Sequence, residues 1–419
     1  MSERRELGVS RSPAASPAPG SLLAGRYQLL NEIGQGGMGT VFRALDRLWG
    51  RVVTVKRLRV SPGRDSEYEN VTRSEDRIAL AQEFRVLAGL HHPNIVSVMD
   101  YGFDEARQPF FTMDLQENAR TIAEIGVDSP LTVRVELLVQ MLRALVYLHR
   151  HSIIHRDLKP DNVLVVGGQV KVLDFGLSMY RDLVRKEDHS LSGTLAYLAP
   201  EILSGAPPSP GSDLYAAGMV AYELLTGQYP FPLNDAARLH RDILSTALPR
   251  QVDHVDASLR PILQRLLAKD PAQRYQDAAE VIIDLGEALR QPFAVETVAT
   301  RESHLQAAPL VAREEELARL NHLLQRAIDG RGDTWLIGGE SGVGKSRLLE
   351  EARIQALVDG VVVLRGQAVS HGGGPYHVWR EILRGLLLSV PLDDLEASVL
   401  KGVVPDIARI LGRPVEDPP

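Results

Sequence analysis

A run of charged residues followed by a hairpin signal limits this 419-residue chain more than anything else in it. His155-Arg156-Asp157-Leu158-Lys159-Pro160-Asp161-Asn162 sets an acid, a cation and an amide within six residues. An apolar run, Val163 to Val166, comes next, then Gly167-Gly168, then a second β-rich run from Val170 to Leu173. A Gly-Gly pair between two such runs predicts a tight β-hairpin. A hairpin brings its open ends together, so Asn162 and Asp174 are expected side by side. An amide oxygen beside a carboxylate is a hard-oxygen pair suited to Mg2+. Asp157, just upstream, is placed to accept a proton from an attacking hydroxyl, and these groups together are what phosphoryl transfer needs.

Composition narrows the classes. The chain has no cysteine, which removes disulfides, thiolate catalysis and cysteine-ligated metal, and fits a reducing cytoplasm. A formal charge of −7 gives no basic surface for nucleic acid. No run reaches 18 apolar residues, so no membrane span is expected. The first residues lack the apolar core of a signal peptide. His149, His151 and His155 follow closely on one another, but their offsets do not share one helical face, so they read as structural rather than as metal ligands.

The ordered set HRDLKPDN at 155–162, Asp174-Phe175-Gly176 and Ala199-Pro200-Glu201 resembles the protein kinases. The resemblance covers residues 26–288. It implies an α+β bilobal protein kinase fold, with a β-rich N-lobe and an α-rich C-lobe, that uses ATP and Mg2+. Asp157 is then the base and Lys159 the cation that neutralises the transferring phosphoryl. Asn162 and Asp174 are the metal ligands. A lysine two residues after the aspartate resembles the serine/threonine class. Arg156 implies control by an anion on the activation segment.

Upstream, Gly34-Gln35-Gly36-Gly37-Met38-Gly39 lies between two β-like runs. Such glycines let backbone N–H groups approach phosphate oxygens. Thr40-Val41-Phe42 continues as a strand where a dinucleotide fold needs a helix, which favours the kinase loop. On the strand Arg51–Leu58, side chains alternate, so Thr54 and Lys56 share a face. The resemblance makes Lys56 the partner of the α- and β-phosphates. It makes Glu83, on the expected helix 78–90, the partner of Lys56. Ile33 and Val41 would cover adenine and ribose, with Leu164 also in the ATP site. Met113 would stand at the back of the pocket, and Asp114 to Gln116, with Leu115 between them, would form the hinge. Two departures stand out: Thr54 replaces the family's usual alanine, and the glycine often found past the hinge is absent.

Within the activation segment, Asp174 to Glu201, the candidate phosphorylation sites are Ser190 and Ser192. Thr194 stands where kinases place a threonine against the catalytic pair. The resemblance also implies a structural Glu201–Arg274 ion pair and a brace on the catalytic loop from Asp213.

Residues 1–25, rich in Pro, Ala and Ser, read as a disordered tail, and 289–308 as a linker. A second unit is expected over 309–419. There, TWLIGG predicts a strand, and Gly339-Glu340-Ser341-Gly342-Val343-Gly344-Lys345-Ser346 fits the phosphate-binding P-loop pattern before a helix. Gly339, Gly344, Lys345 and Ser346 are its candidate ligands. The unit resembles the ATPase module of bacterial signal-transduction ATPases, of the AAA-like or STAND group, with Ala312 where that family usually has glycine. No later strand ends in an acid pair, so the expectation is a partial α/β P-loop NTPase domain that does not hydrolyse nucleotide, in a piece of a longer protein.

The expected activity is transfer of the γ-phosphate of Mg-ATP to Ser or Thr hydroxyls of proteins, the chain itself included, in cytoplasmic signal transduction. A pseudokinase scaffold is the alternative, but it would lack a lysine, an aspartate or a metal ligand, and none is missing. A kinase-regulated signalling ATPase is the other.

Overall fold

The computed structural model describes residues 20–36, 39–58, 84, 88–106, 108–174, 196–232, 235–245, 255–307, 313–368 and 374–418. Two compact units divide the chain. The first takes residues 1–61, 101–115 and 360–419, the second 62–100 and 116–359.

The first unit is built on a sheet of β1 (Leu22–Leu23), β2 (Tyr27–Gly36), β3 (Gly39–Asp46), β4 (Arg51–Leu58), β5 (Val98–Phe103) and β6 (Pro109–Asp114), in the order β1-β2-β3-β4-β6-β5. Alternation in β3 buries Phe42 and Ala44, and the central strand β4 buries Val53 and Val55 as well as the residues between and beyond them. Tyr27 meets Phe110 edge to face, with centroids 5.8 Å apart. The end of the stretch expected to be disordered is ordered: Leu22 pairs with Gln28, and Leu23 with Tyr27. Two adjacent leucines supply apolar surface that the Pro-Ala-Ser tail before them lacks, and Leu23 is buried.

The second unit is mainly helical. It contains β7 (Arg120–Thr121), α1 (Ile122–Val127), α2 (Leu131–Arg150), β8 (Val163–Val166), β9 (Gln169–Val172), α3 (Pro200–Leu203), α4 (Pro210–Thr226), α5 (Ala236–Leu244), α6 (Arg260–Leu266), α7 (Ala278–Ala288), α8 (Val298–Ala307), α9 (Glu314–Ile328) and α10 (Lys345–Val358). α2 and α4 carry apolar residues almost all round, and both are buried on most sides, as such helices must be. Ser209 starts α4 with a capping box, Pro210 follows it, and Gly227 ends the helix in the left-handed conformation. A Cβ on Gly218 would come within 2.8 Å of Leu266 Cβ, so α4 and α6 approach too closely there for any side chain.

Two expectations change here. The stretch read as a linker contains α8, started by reciprocal bonds: Thr297 N–H donates to Thr300 Oγ1 at 2.8 Å, and Thr300 N–H to Thr297 Oγ1 at 3.2 Å. Arg143 and Arg150 on α2 hold the residues before it, through the Ala294 carbonyl and the Glu296 carboxylate. Polar composition hid a segment fixed by arginines far away in the chain. Second, the strand expected at TWLIGG is not formed, and Leu336 is 97 % exposed. A parallel strand depends on neighbouring strands for its hydrogen bonds. Among the described residues no other strand of that region offers them.

The last elements return to the first unit: α11 (His377–Leu386), α12 (Asp394–Lys401) and α13 (Ile407–Leu411). They enclose a small apolar cluster of Leu387, Ala397, Val404, Ile407 and Ile410.

Candidate functional site

The hairpin forms as the Gly-Gly signal predicts, one residue earlier on its second strand. Val163 pairs with Val172 and Val166 with Gln169, and Gly167 and Gly168 both take positive φ (56° and 80°). At the open end, Leu173 N–H donates to the Asn162 carbonyl at 2.8 Å, so the chain leaves Asn162 and re-enters at Asp174 from adjoining positions.

Asp157 and Lys159 lie just before the hairpin. Lys159 Nζ stands 3.2 and 3.0 Å from the two Asp157 carboxylate oxygens. Asn162 Nδ2 donates to the Asp157 carbonyl at 2.7 Å and to its Oδ2 at 2.9 Å. The amide nitrogen of Asn162 is thereby committed to Asp157, and its oxygen is the atom suited to a hard cation. Asp174, at φ 47°, follows directly on the Leu173 peptide bonded to Asn162, and its carboxylate is of the same hard-oxygen type.

Buried residues behind the loop fix it. Asp213 on α4 accepts the backbone N–H of His155 at 2.8 Å and of Arg156 at 2.9 Å, and it meets His149 Nε2 at 2.9 Å. His155 is fully buried. Its Nδ1 lies 3.3 Å from the Asp157 N–H, and its Nε2 lies 2.9 Å from the Leu173 carbonyl. A carbonyl only accepts and an N–H only donates, so both bonds require the neutral ring with its proton on Nε2. Burial accordingly holds His155 below the ordinary histidine pKa, with the charge of Asp213 opposing the shift. One imidazole thus ties the backbone at Asp157 to the residue before Asp174.

Asn94 was not singled out from the sequence, where it reads as part of a proline turn. Its carbonyl accepts from Val172 N–H at 2.8 Å and its Nδ2 donates to the Val170 carbonyl at 3.0 Å. Gln140 on α2 takes Val170 N–H at 2.9 Å. Together they hold β9, and the chain leading to Asp174, against the helical core. Farther off, Glu201 and Arg274 form a bidentate pair at 2.6 and 2.7 Å, with the arginine buried.

In the first unit, the register places Val41 and Phe111 on either side of Lys56, and Arg43 and Met113 on either side of Thr54. Directly paired residues share a face, so Val41, Thr54, Lys56 and Met113 share one. Lys56 is 7 % exposed, with its ammonium 5.9 Å from the Phe111 ring centre. Gly34 pairs with Val41, Gln35 with Thr40 and Gly36 with Gly39. A Cβ at Gly39 would collide with the Arg57 carbonyl. Ile33 is half exposed. Leu115 follows β6, and Leu164, on β8 in the second unit, pairs with Lys171. Gly37, Met38, Glu83, Phe175, Gly176, Ser190, Ser192, Thr194 and Ala312 lie outside the described residues.

The P-loop run forms a turn at the start of α10. Gly339, Gly342 and Gly344 have φ of 157°, 83° and 91°, and Lys345 Nζ donates to the Gly339 carbonyl at 2.8 Å and the Glu340 carbonyl at 2.7 Å. Ser346 is the second residue of the helix.

Residues 27–293 match the protein kinase domain. The chain belongs to the protein kinase family. Residues 309–418 match the AAA ATPase domain. Among curated relatives, the chain is 35% identical over 277 residues to the probable serine/threonine-protein kinase PknB of Lactococcus lactis, covering 64% of this chain and 42% of that protein. It is 33% identical over 310 residues to the serine/threonine-protein kinase PrkC of Bacillus subtilis, covering 72% and 46%. With the serine/threonine-protein kinase PknA of Mycobacterium tuberculosis it shares 34% over 269 residues, covering 62% and 61%. The chain therefore spans less than half the length of the first two of these relatives and 61% of the third.

Proposed function

We propose that this member of the protein kinase family is an active serine/threonine protein kinase that moves the γ-phosphoryl of Mg-ATP to Ser or Thr hydroxyls, its own included. The observation that carries the reading is the Asp157 carboxylate held by Lys159 and Asn162 at the mouth of the hairpin that leads to Asp174. The relatives' names add the serine/threonine class.

In this reading Asp157 orients the attacking hydroxyl and takes its proton. Lys159 sets its charge beside the developing phosphoryl negative charge. Lys56 holds the α- and β-phosphates against the glycine hairpin, and Met113 and Leu115 lie beside the adenine. Asn162 and Asp174 would hold Mg2+, which neutralises phosphate charge when bound. Among the described residues no helix is long and apolar enough to cross a membrane; we place the activity in the cytoplasm.

The test is transfer of labelled γ-phosphate to a generic Ser/Thr protein substrate. Lys56→Met and Asp157→Asn should each abolish it while leaving the fold intact. Activity like that of the unaltered chain in either variant would overturn the assignments.

A further inference from the structure

We propose that the helical segment 377–411, within the AAA-matched part of the chain, is a clamp on the β3–β4 turn through which that part acts on the hairpin carrying Lys56. The turn, Arg47 to Gly50, is a fixed object. Asp46, paired bidentately with Arg26 at 2.8 and 2.9 Å, accepts Leu48 N–H on its Oδ1 at 3.0 Å, and its carbonyl takes Gly50 N–H at 2.7 Å. The strand ladder ends at the Asp46–Arg51 pair, so the Arg47 and Leu48 carbonyls lie beyond it. Backbone carbonyls left out of a ladder call for other donors.

Two arginines of the C-terminal helices supply them. Arg409 Nη1 donates to the Arg47 carbonyl at 2.7 Å and its Nη2 to Leu48 at 3.3 Å. Arg384 Nη2 also donates to Leu48, at 3.1 Å, and its guanidinium sits 5.6 Å from the centre of the Trp49 ring. Asp406 binds both arginines, Arg384 at 2.7 Å, and so sets them toward one target.

The grip is reciprocal. Arg47 Nη2 reaches back to the Ile410 carbonyl, in the last turn of α13, at 2.5 Å. That carbonyl is among those a helix cannot satisfy internally. Gly50 stands at φ 67°, which a side chain would strain, and a Cβ there would lie 2.9 Å from Arg409 Nη1, so the guanidinium would have to shift. Fixed carbonyls, two arginines aimed by one acid and a returned arginine describe a built interface, and its helices carry their own apolar cluster. From the clamped turn the β3–β4 ladder runs unbroken to the Gly39–Leu58 pair, past Lys56 opposite Val41. A pull or release at the turn therefore reaches the phosphate-handling end through paired backbone.

Hydrogen exchange on the full chain tests this without using kinase activity, so its failure and that of the proposed function are separable. Three proteins are compared: the unaltered chain, Arg384→Ala with Arg409→Ala, and Arg47→Ala. The double variant should speed exchange several-fold over 46–51 and 53–58, and Arg47→Ala should do the same over 407–411, with α4 unchanged as the folding control. Exchange altered only on the substituted side would overturn the clamp. A response at 46–51 with none at 53–58 would overturn its coupling to the Lys56 strand.

Discussion

Asp213 Oδ1 accepts the backbone N–H of Arg156 at 2.9 Å, and Arg156 stands at φ 70°. A non-glycine residue in that region is strained by about 1–3 kcal/mol and persists only where its surroundings hold it. The other oxygen of Asp213 takes His155 N–H, so one buried carboxylate fixes two successive peptides just ahead of Asp157. Asp213→Ala leaves both N–H groups unpaired and should cost roughly 2–4 kcal/mol of stability. Transfer should fall by about 100-fold through misplacement of Asp157. Asp213→Asn, with one acceptor oxygen left, should lie between. Thermal unfolding and labelled-phosphate transfer check both statements.

Removing Arg274 should be costly well away from the chemistry. Its buried guanidinium meets Glu201 bidentately and also donates to the carbonyls of Ala268, Gly211 and Lys269. Arg274→Ala should lower stability by about 3–5 kcal/mol. Arg274→Lys should recover little, because an ammonium cannot reproduce the two-pronged contact. Urea midpoints give the comparison.

Acid should act through His155. Burial depresses its folded pKa, so below the ordinary value of about 6.5 the unfolded chain binds the proton more readily than the folded one. Its contribution to stability is complete above about pH 6.5 and is lost as pH falls through the folded value. His155→Gln should be less stable at pH 7 but should lose less between pH 6.5 and 5. Unfolding free energies of both proteins over that window decide the matter, and equal slopes would contradict it.

What the sequence shows and what it hides follow one rule: contacts within a contiguous run are legible, and contacts made across the fold are not. The hairpin at 163–172 needed only its own glycines and β-formers, so its turn and the nearness of the chain at Asn162 and Asp174 followed from pattern. The Asn94–Gln140–Val170 network joins three distant segments, and no periodicity marks it. Leu22–Leu23 are too few to signal a strand until Tyr27 and Gln28 are beside them. The run at TWLIGG errs in the opposite direction. Its composition suits a strand, but a strand is a property of its neighbours as well.

Gly39→Ala should test the glycine hairpin. Its Cβ would strike the Arg57 carbonyl, with φ at 155°, so β3 and β4 must part at the glycine end of their ladder. A stability loss of about 1–3 kcal/mol should accompany a raised KM for ATP. Thermal unfolding and steady-state kinetics read the two effects separately.

The most direct measurement incubates the purified chain with Mg-ATP and maps phosphosites by mass spectrometry, with Asp157→Asn alongside. Phosphate on the unaltered chain only, at Ser190, Ser192 or elsewhere, is the predicted result. No phosphate on either the chain or a generic Ser/Thr substrate, or equal phosphate on the Asp157→Asn chain, would contradict the account.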